Sequence, residues 1–147
     1  MKKLHKLLKL SENEFRVLLY SFLILNGIRL ALWLLSFNSL RQKLEQLASA
    51  WICQDQPQSV SVGFIVWTVN VAGRYTPGGA KCLARALTSQ LLLTRYGYAH
   101  ELHIGVAKGP ANTLEAHAWI EYKDRVIMGW LRNLSQFKSL SAEGIKQ

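Results

Sequence analysis

The sharpest chemical signal in this chain comes from one cysteine and one histidine. Cys82 follows the breaker cluster Tyr75-Thr76-Pro77-Gly78-Gly79 and opens a stretch in which Leu83, Leu87 and Leu91 recur at helical spacing, flanked by Ala84 and Ala86. That period predicts an amphipathic helix, and Gly97 supplies the left-handed residue that ends one. Cys82 then sits in the first turn of a helix leaving a glycine-rich loop, where unpaired backbone N–H groups and the positive end of the macrodipole favour negative charge. The glycines let backbone and substrate come close. A thiol so placed is a nucleophile if a base is within reach, and otherwise a small buried hydrophobe.

Four histidines could supply that base. His5 lies in a basic N-terminal stretch and reads as solvated. Residues 98–108 alternate as a strand, with His100, Leu102, Ile104 and Val106 on one face and Glu101, His103, Gly105 and Ala107 on the other. The H-x-x-H pair therefore points apart, which argues against a metal site, and no cofactor motif occurs elsewhere. Gly109-Pro110-Ala111-Asn112 turns the chain into a second strand over 114–122. Ala116, Ala118 and Ile120 take one side of it, and Glu115, His117, Trp119 and Glu121 the other. His117 is mid-strand and rigidly held. Lys123-Asp124 suits a two-residue hairpin loop into residues 125–130. A helix with cysteine at its start, followed by antiparallel strands bearing a histidine, is the layout of a papain-like or transglutaminase-like thiol enzyme. Trp119 either shields the pair from water or is core. Arg85, one turn after Cys82, either serves the thiol or substrate or is a solvated helix residue, and receives no catalytic role.

The rest of the chain must position these groups. Its 147 residues are 50% hydrophobic and 18% charged, with three prolines and ten glycines, which excludes a disordered polymer and indicates one domain or one domain plus an arm. The net charge of +9 calls for an acidic partner or for solubility by self-repulsion. Two cysteines, Cys53 and Cys82, form no zinc-spaced pair, so a reducing compartment fits best, with Cys53 buried and inert. Residues 17–35 form an apolar run interrupted by Asn26 and Arg29. A spanning helix needs about 20 apolar residues and a central arginine costs about 2.5–3.5 kcal/mol, so a packed or membrane-surface helix is expected over a span. Ser11 and Glu14 have capping-box spacing at its start, and Asn38 and Ser39 mark its end. A second helix is expected over 41–51, then a polar linker over 54–59. The small-residue site Ala48-Ser49-Ala50 lies too far past the apolar run for a secretory signal. The arm is too apolar for a phosphate-facing surface, so no nucleic acid is expected. The division is a basic, hydrophobic helical arm over 1–56 and a catalytic core over 57–147.

The series Pro77-Gly78-Gly79-Ala80-Lys81-Cys82-Leu83-Ala84-Arg85-Ala86-Leu87, then Leu102-His103-Ile104-Gly105-Val106, Ala116-His117-Ala118-Trp119-Ile120-Glu121 and Ile127-Met128-Gly129 resembles the lasso-peptide maturation protease family over roughly residues 60–130. The resemblance implies an α+β, transglutaminase-like (papain-like) core with the catalytic cysteine at a helix N-terminus packed on an antiparallel sheet, preceded by a helical arm. It implies a cytoplasmic leader peptidase acting on a ribosomally made precursor, with a small leader-recognition protein and a separate lasso cyclase as partners, and no cofactor or metal. Membrane-surface contact through residues 1–35 would add to this, and a catalytically weak leader-binding or membrane-associated subunit is the alternative function. Carried over by position, Cys82 is the nucleophile and His117 the general base. The family commonly has an aspartate where Gly129 stands here, so the third member is open: a non-acidic or backbone group is ranked first and Glu115, two residues from His117 on the same face, second.

Overall fold

The structure, a computed structural model, describes residues 5, 8–51, 58–78 and 81–140; Cys53 and residues 54–57 of the polar stretch lie outside them. Helix α1 (Glu12–Leu34) starts at the expected capping box, with the Ser11 side chain accepting from the Glu14 N–H and the Glu14 carboxylate from the Ser11 N–H. It ends earlier than the sequence suggested. Asn38 and Ser39 fall in the first turn of α2 (Phe37–Ala50), which Ser36 caps through the Ser39 N–H. The break that the asparagine implied lies instead at Leu35 and Ser36, where one polar cap starts α2 directly after α1 ends.

The apolar run before the glycine loop is α3 (Val62–Tyr75), and the helix after it is α4 (Cys82–Arg95). Gly97 ends α4 with φ +76, its N–H bonding Thr94 and the next N–H, from Tyr98, bonding Leu93. This is the paired closure that a left-handed residue permits. It also claims Tyr98, whose hydroxyl donates to the Val60 carbonyl, so β1 (Glu101–Lys108) begins three residues later than alternation alone indicated.

Strands β1, β2 (Leu114–Tyr122), β3 (Arg125–Met128) and β4 (Lys138–Leu140) form one antiparallel sheet in the order β3-β2-β1-β4. Lys123 and Asp124, at φ 49 and 63, make the two-residue turn between β2 and β3. Ala118, Ile120 and Met128 pack with Val17 of α1, Ile65 and Val69 of α3, and Ala86, Leu92 and Leu93 of α4. On the alternate positions Trp119 and Ala107 pack with Phe137 beneath the segment that follows β3.

Helix α1 is long and apolar enough to cross a membrane by length and composition, a property that a buried core helix shares. Here Val17, Ser21, Leu25 and Ile28 face inward. Ser21 donates to Thr68 of α3 at 2.8 Å, and Leu25 sits with Leu40, Ala72, Ala84 and Leu87. At the far end of α4 the Arg95 guanidinium lies 4.1 Å over the Trp51 ring and donates to the Trp51 carbonyl. Helices α1 and α2 thus pack directly on α3 and α4, the helices that hold the site. Leu25→Ala should cost about 2–5 kcal/mol, whereas Leu23→Ala, 57% exposed two residues away on the opposite side of the helix, should cost under about 0.5 kcal/mol. Urea unfolding of both variants checks this, and equal costs would contradict the packing.

Candidate active site

A cleft of about 400 Å³ opens where the start of α4, the middle of α3 and the chain leaving β3 meet β2. Cys82, Arg85, Asn70, His117 and residues 127–131 line it. The two residues singled out by type and spacing therefore share one cavity, although 35 positions separate them in sequence. Cys82 is half-buried at the first position of α4; its N-cap, Lys81, makes no side-chain cap. The first N–H groups of α4 thus have no side-chain acceptor from the cap and remain available to an oxyanion. Among the described residues no hydrogen bond joins the thiol to the imidazole; both line the same cleft.

The imidazole is held from behind. His117 Nε2 lies 2.6 Å from the Gly129 carbonyl oxygen. A carbonyl only accepts, so Nε2 carries the proton and Nδ1 keeps its lone pair for the thiol proton. The ring packs beside Phe137, at 5.6 Å, and is near-parallel to the Trp119 indole, at 6.3 Å. Trp119 in turn stacks on His103 at 5.4 Å and donates its N–H to Glu121. A Cβ on Gly105 would stand 2.8 Å from the indole, so glycine there lets the ring lie across the strand. Trp119 is thus both buried core and the flank of His117.

Gly129 earns its place by geometry. The ladder passes from Ile120–Met128 to Glu121–Val126, so Ile127 is an extra residue in β3, and the bulge redirects the chain just before Gly129. Gly129 adopts φ +85, and a Cβ there would stand 2.6 Å from the Ala118 carbonyl oxygen. No aspartate fits that backbone; the main chain supplies the acceptor. Glu115, the second-ranked orienter, is exposed on β2 with its carboxylate over Gly109, where a Cβ would lie 2.7 Å from Oε1. The hydrogen bond to His117 comes from Gly129 instead.

Asn70 was not singled out from the sequence, yet it lines the cleft from α3. A polar residue inside the apolar stretch 60–73 was the available signal. Among the described residues the one grouping with metal-ligand geometry is Glu101, His103 and Glu121, whose ligand atoms lie within 4.8 Å of one another. It lies on the far side of Trp119 from His117, and His103 approaches both carboxylates, at 3.3 and 3.6 Å.

The model of the transglutaminase-like superfamily matches residues 22–142, which contain the whole cleft. The chain belongs to the transglutaminase-like superfamily. That superfamily includes cysteine proteases and transglutaminases, both of which form a thioester on a cysteine. No curated protein and no solved structure matches the chain. For this superfamily member the match begins inside α1, consistent with a helix that packs on the site-bearing helices.

Gly129→Asp should destabilise the fold by about 1–3 kcal/mol, because a side chain at that φ meets the Ala118 carbonyl. Thermal melting measures it, and an unchanged or raised melting temperature would contradict the predicted clash at residue 129. A pH effect comes from outside the cleft. Burial lowers the His100 pKa below the usual 6.5, against a smaller raising effect of its hydrogen bond to the Tyr98 carbonyl. The unfolded chain then binds this proton more readily than the folded one, so stability present above about pH 6.5 is lost as pH falls through the lower folded value. Denaturation of wild type and His100→Gln at several pH values should show a shallower acid-side loss in the variant; parallel curves would contradict it.

Proposed function

We propose that this chain is a cysteine peptidase that removes the leader peptide from a ribosomally synthesised lasso-peptide precursor. The observation that carries the reading is the shared cleft of Cys82 and His117, with Nε2 locked on Gly129 and Nδ1 free to act as base. Cys82 attacks the carbonyl of the last leader residue while His117 Nδ1 takes the thiol proton. Helix N–H groups steady the oxyanion, and the same imidazole returns the proton to the leaving amine. Water activated by His117 then adds to the thioester, releasing the leader and the thiol. The carbonyl of Gly129 fixes the tautomer, as a carboxylate would, but offers only a partial charge to the imidazolium formed on the way, so a slow enzyme is expected.

The ordered motif series favours this substrate class, the superfamily membership supports thiol chemistry at Cys82, and the +9 charge suits an acidic leader or an acidic recognition protein. The reading places the chain in the cytoplasm beside a separate leader-recognition protein and the cyclase. One observation favours a membrane-associated role as well. Phe15, Leu23, Leu30, Trp33 and Leu34 stay exposed along α1, which the basic residues 1–9 precede in sequence, as on a helix that lies on an anionic lipid surface.

Mass spectrometry of a lasso-peptide precursor incubated with its recognition protein and with wild type, Cys82→Ala or His117→Ala tests the function. Wild type alone should cut, at a single leader–core bond. Cleavage that survives Cys82→Ala would refute the mechanism. Intact leader binding without cleavage by wild type would instead favour a catalytically weak leader-binding subunit.

A further inference from the structure

Arg85 lies one turn beyond Cys82 and lines the same cleft. Its side chain is half-buried, its Nε is fully buried, and among the described residues no carboxylate, carbonyl or hydroxyl partners any of its donors. A guanidinium carries five N–H donors and stays charged, so a buried, unpaired Nε costs free energy that a structural role alone would have removed by pairing. The packing holds it where it is. The guanidinium lies against Gly73 of α3, where a Cβ would stand 2.7 Å from Nε and 3.0 Å from one terminal nitrogen. Among the described residues no acidic side chain lines the cleft, and the adjoining groove of about 560 Å³ on the other side of the α4 start carries Arg29 and Lys81, again with no acid among the described residues. Among the described residues Cys82 is thus flanked by cationic groups on both sides, and the buried, unsatisfied cationic donor in the cleft belongs to Arg85.

We propose that Arg85 is a substrate-binding residue that receives a carboxylate of the polypeptide beside the bond under attack. Its planar fork matches a carboxylate with two parallel hydrogen bonds, which a neutral side chain of similar shape cannot return. The unpaired donors then set a preference as well as an affinity, because a neutral substrate leaves them buried and unsatisfied. The peptide part of this assignment rests on the peptidase reading; the anion site does not.

The test therefore uses the thiol as reporter and needs no peptide. Iodoacetate and iodoacetamide alkylate Cys82 by the same displacement, in which the S–C bond forms and iodide leaves, and they differ in carrying a carboxylate or a neutral amide. The rate ratio at the Cys82 peptide, read by mass spectrometry and divided by the ratio for free cysteine, should favour iodoacetate by about threefold or more at low salt and fall as salt is raised. Arg85→Gln should bring it down at least about threefold, and Arg85→Lys, which keeps the charge but loses the fork, should retain part of it. A wild-type ratio equal to that of free cysteine at low salt would overturn the proposal without any variant. So would a folded Arg85→Gln protein with the wild-type ratio. If wild type shows the charge preference and cuts no precursor, the anion site stands and the peptidase reading falls.

Discussion

The hydrogen bond from His117 Nε2 to the Gly129 carbonyl is the constraint on which the site depends. An imidazole on a strand can turn about its side-chain bonds and can hold its proton on either nitrogen. One acceptor, 2.6 Å away, removes both freedoms and leaves Nδ1 as the basic atom. That acceptor exists because a bulge at Ile127 re-aims β3 and because residue 129 has no side chain to collide with Ala118. A main-chain carbonyl thus holds the imidazole in place of a carboxylate, and the difference between the two acceptors is charge rather than geometry.

Everything else brings a thiol to that imidazole. The Schellman closure at Gly97 fixes where α4 ends and β1 begins, and burial of Ala86, Leu92 and Leu93 against Ala118 and Ile120 seats α4 on β2. With both ends of the connection held, the first turn of α4 opens toward the edge of the sheet. Helix α1 adds a second layer: its buried stripe of Val17, Ser21, Leu25 and Ile28 braces α3 and α4, which carry Asn70, Cys82 and Arg85. The exposed apolar residues of the same helix follow from a sequence that is apolar nearly all round, and they are the surface proposed above to meet lipid.

Much of this was legible in the residues. The period of Leu83, Leu87 and Leu91, the alternation through 114–122, the capping box at Ser11 and the Lys123-Asp124 turn each express a local preference that the tertiary structure keeps. What stayed hidden has no residue type of its own. A backbone carbonyl looks the same at every position, so the sequence could show only that an acid was missing at 129. Strand β4 is three residues long and exists through its pairing with β1, too short to show a period. Asn38 and Ser39 looked like a helix stop because polar residues that favour caps also occur in a first turn, and the true cap, Ser36, stood just before them.

The central claim is that His117 is a fixed Nε2–H tautomer whose Nδ1 faces the work of the cleft. Imidazole ¹⁵N chemical shifts of the labelled protein, assigned with His117→Ala, measure this directly at a pH where the ring is neutral. The account predicts a protonated, hydrogen-bonded Nε2 and an unprotonated Nδ1 for His117. A proton on Nδ1, or rapid averaging between the two nitrogens, would contradict it.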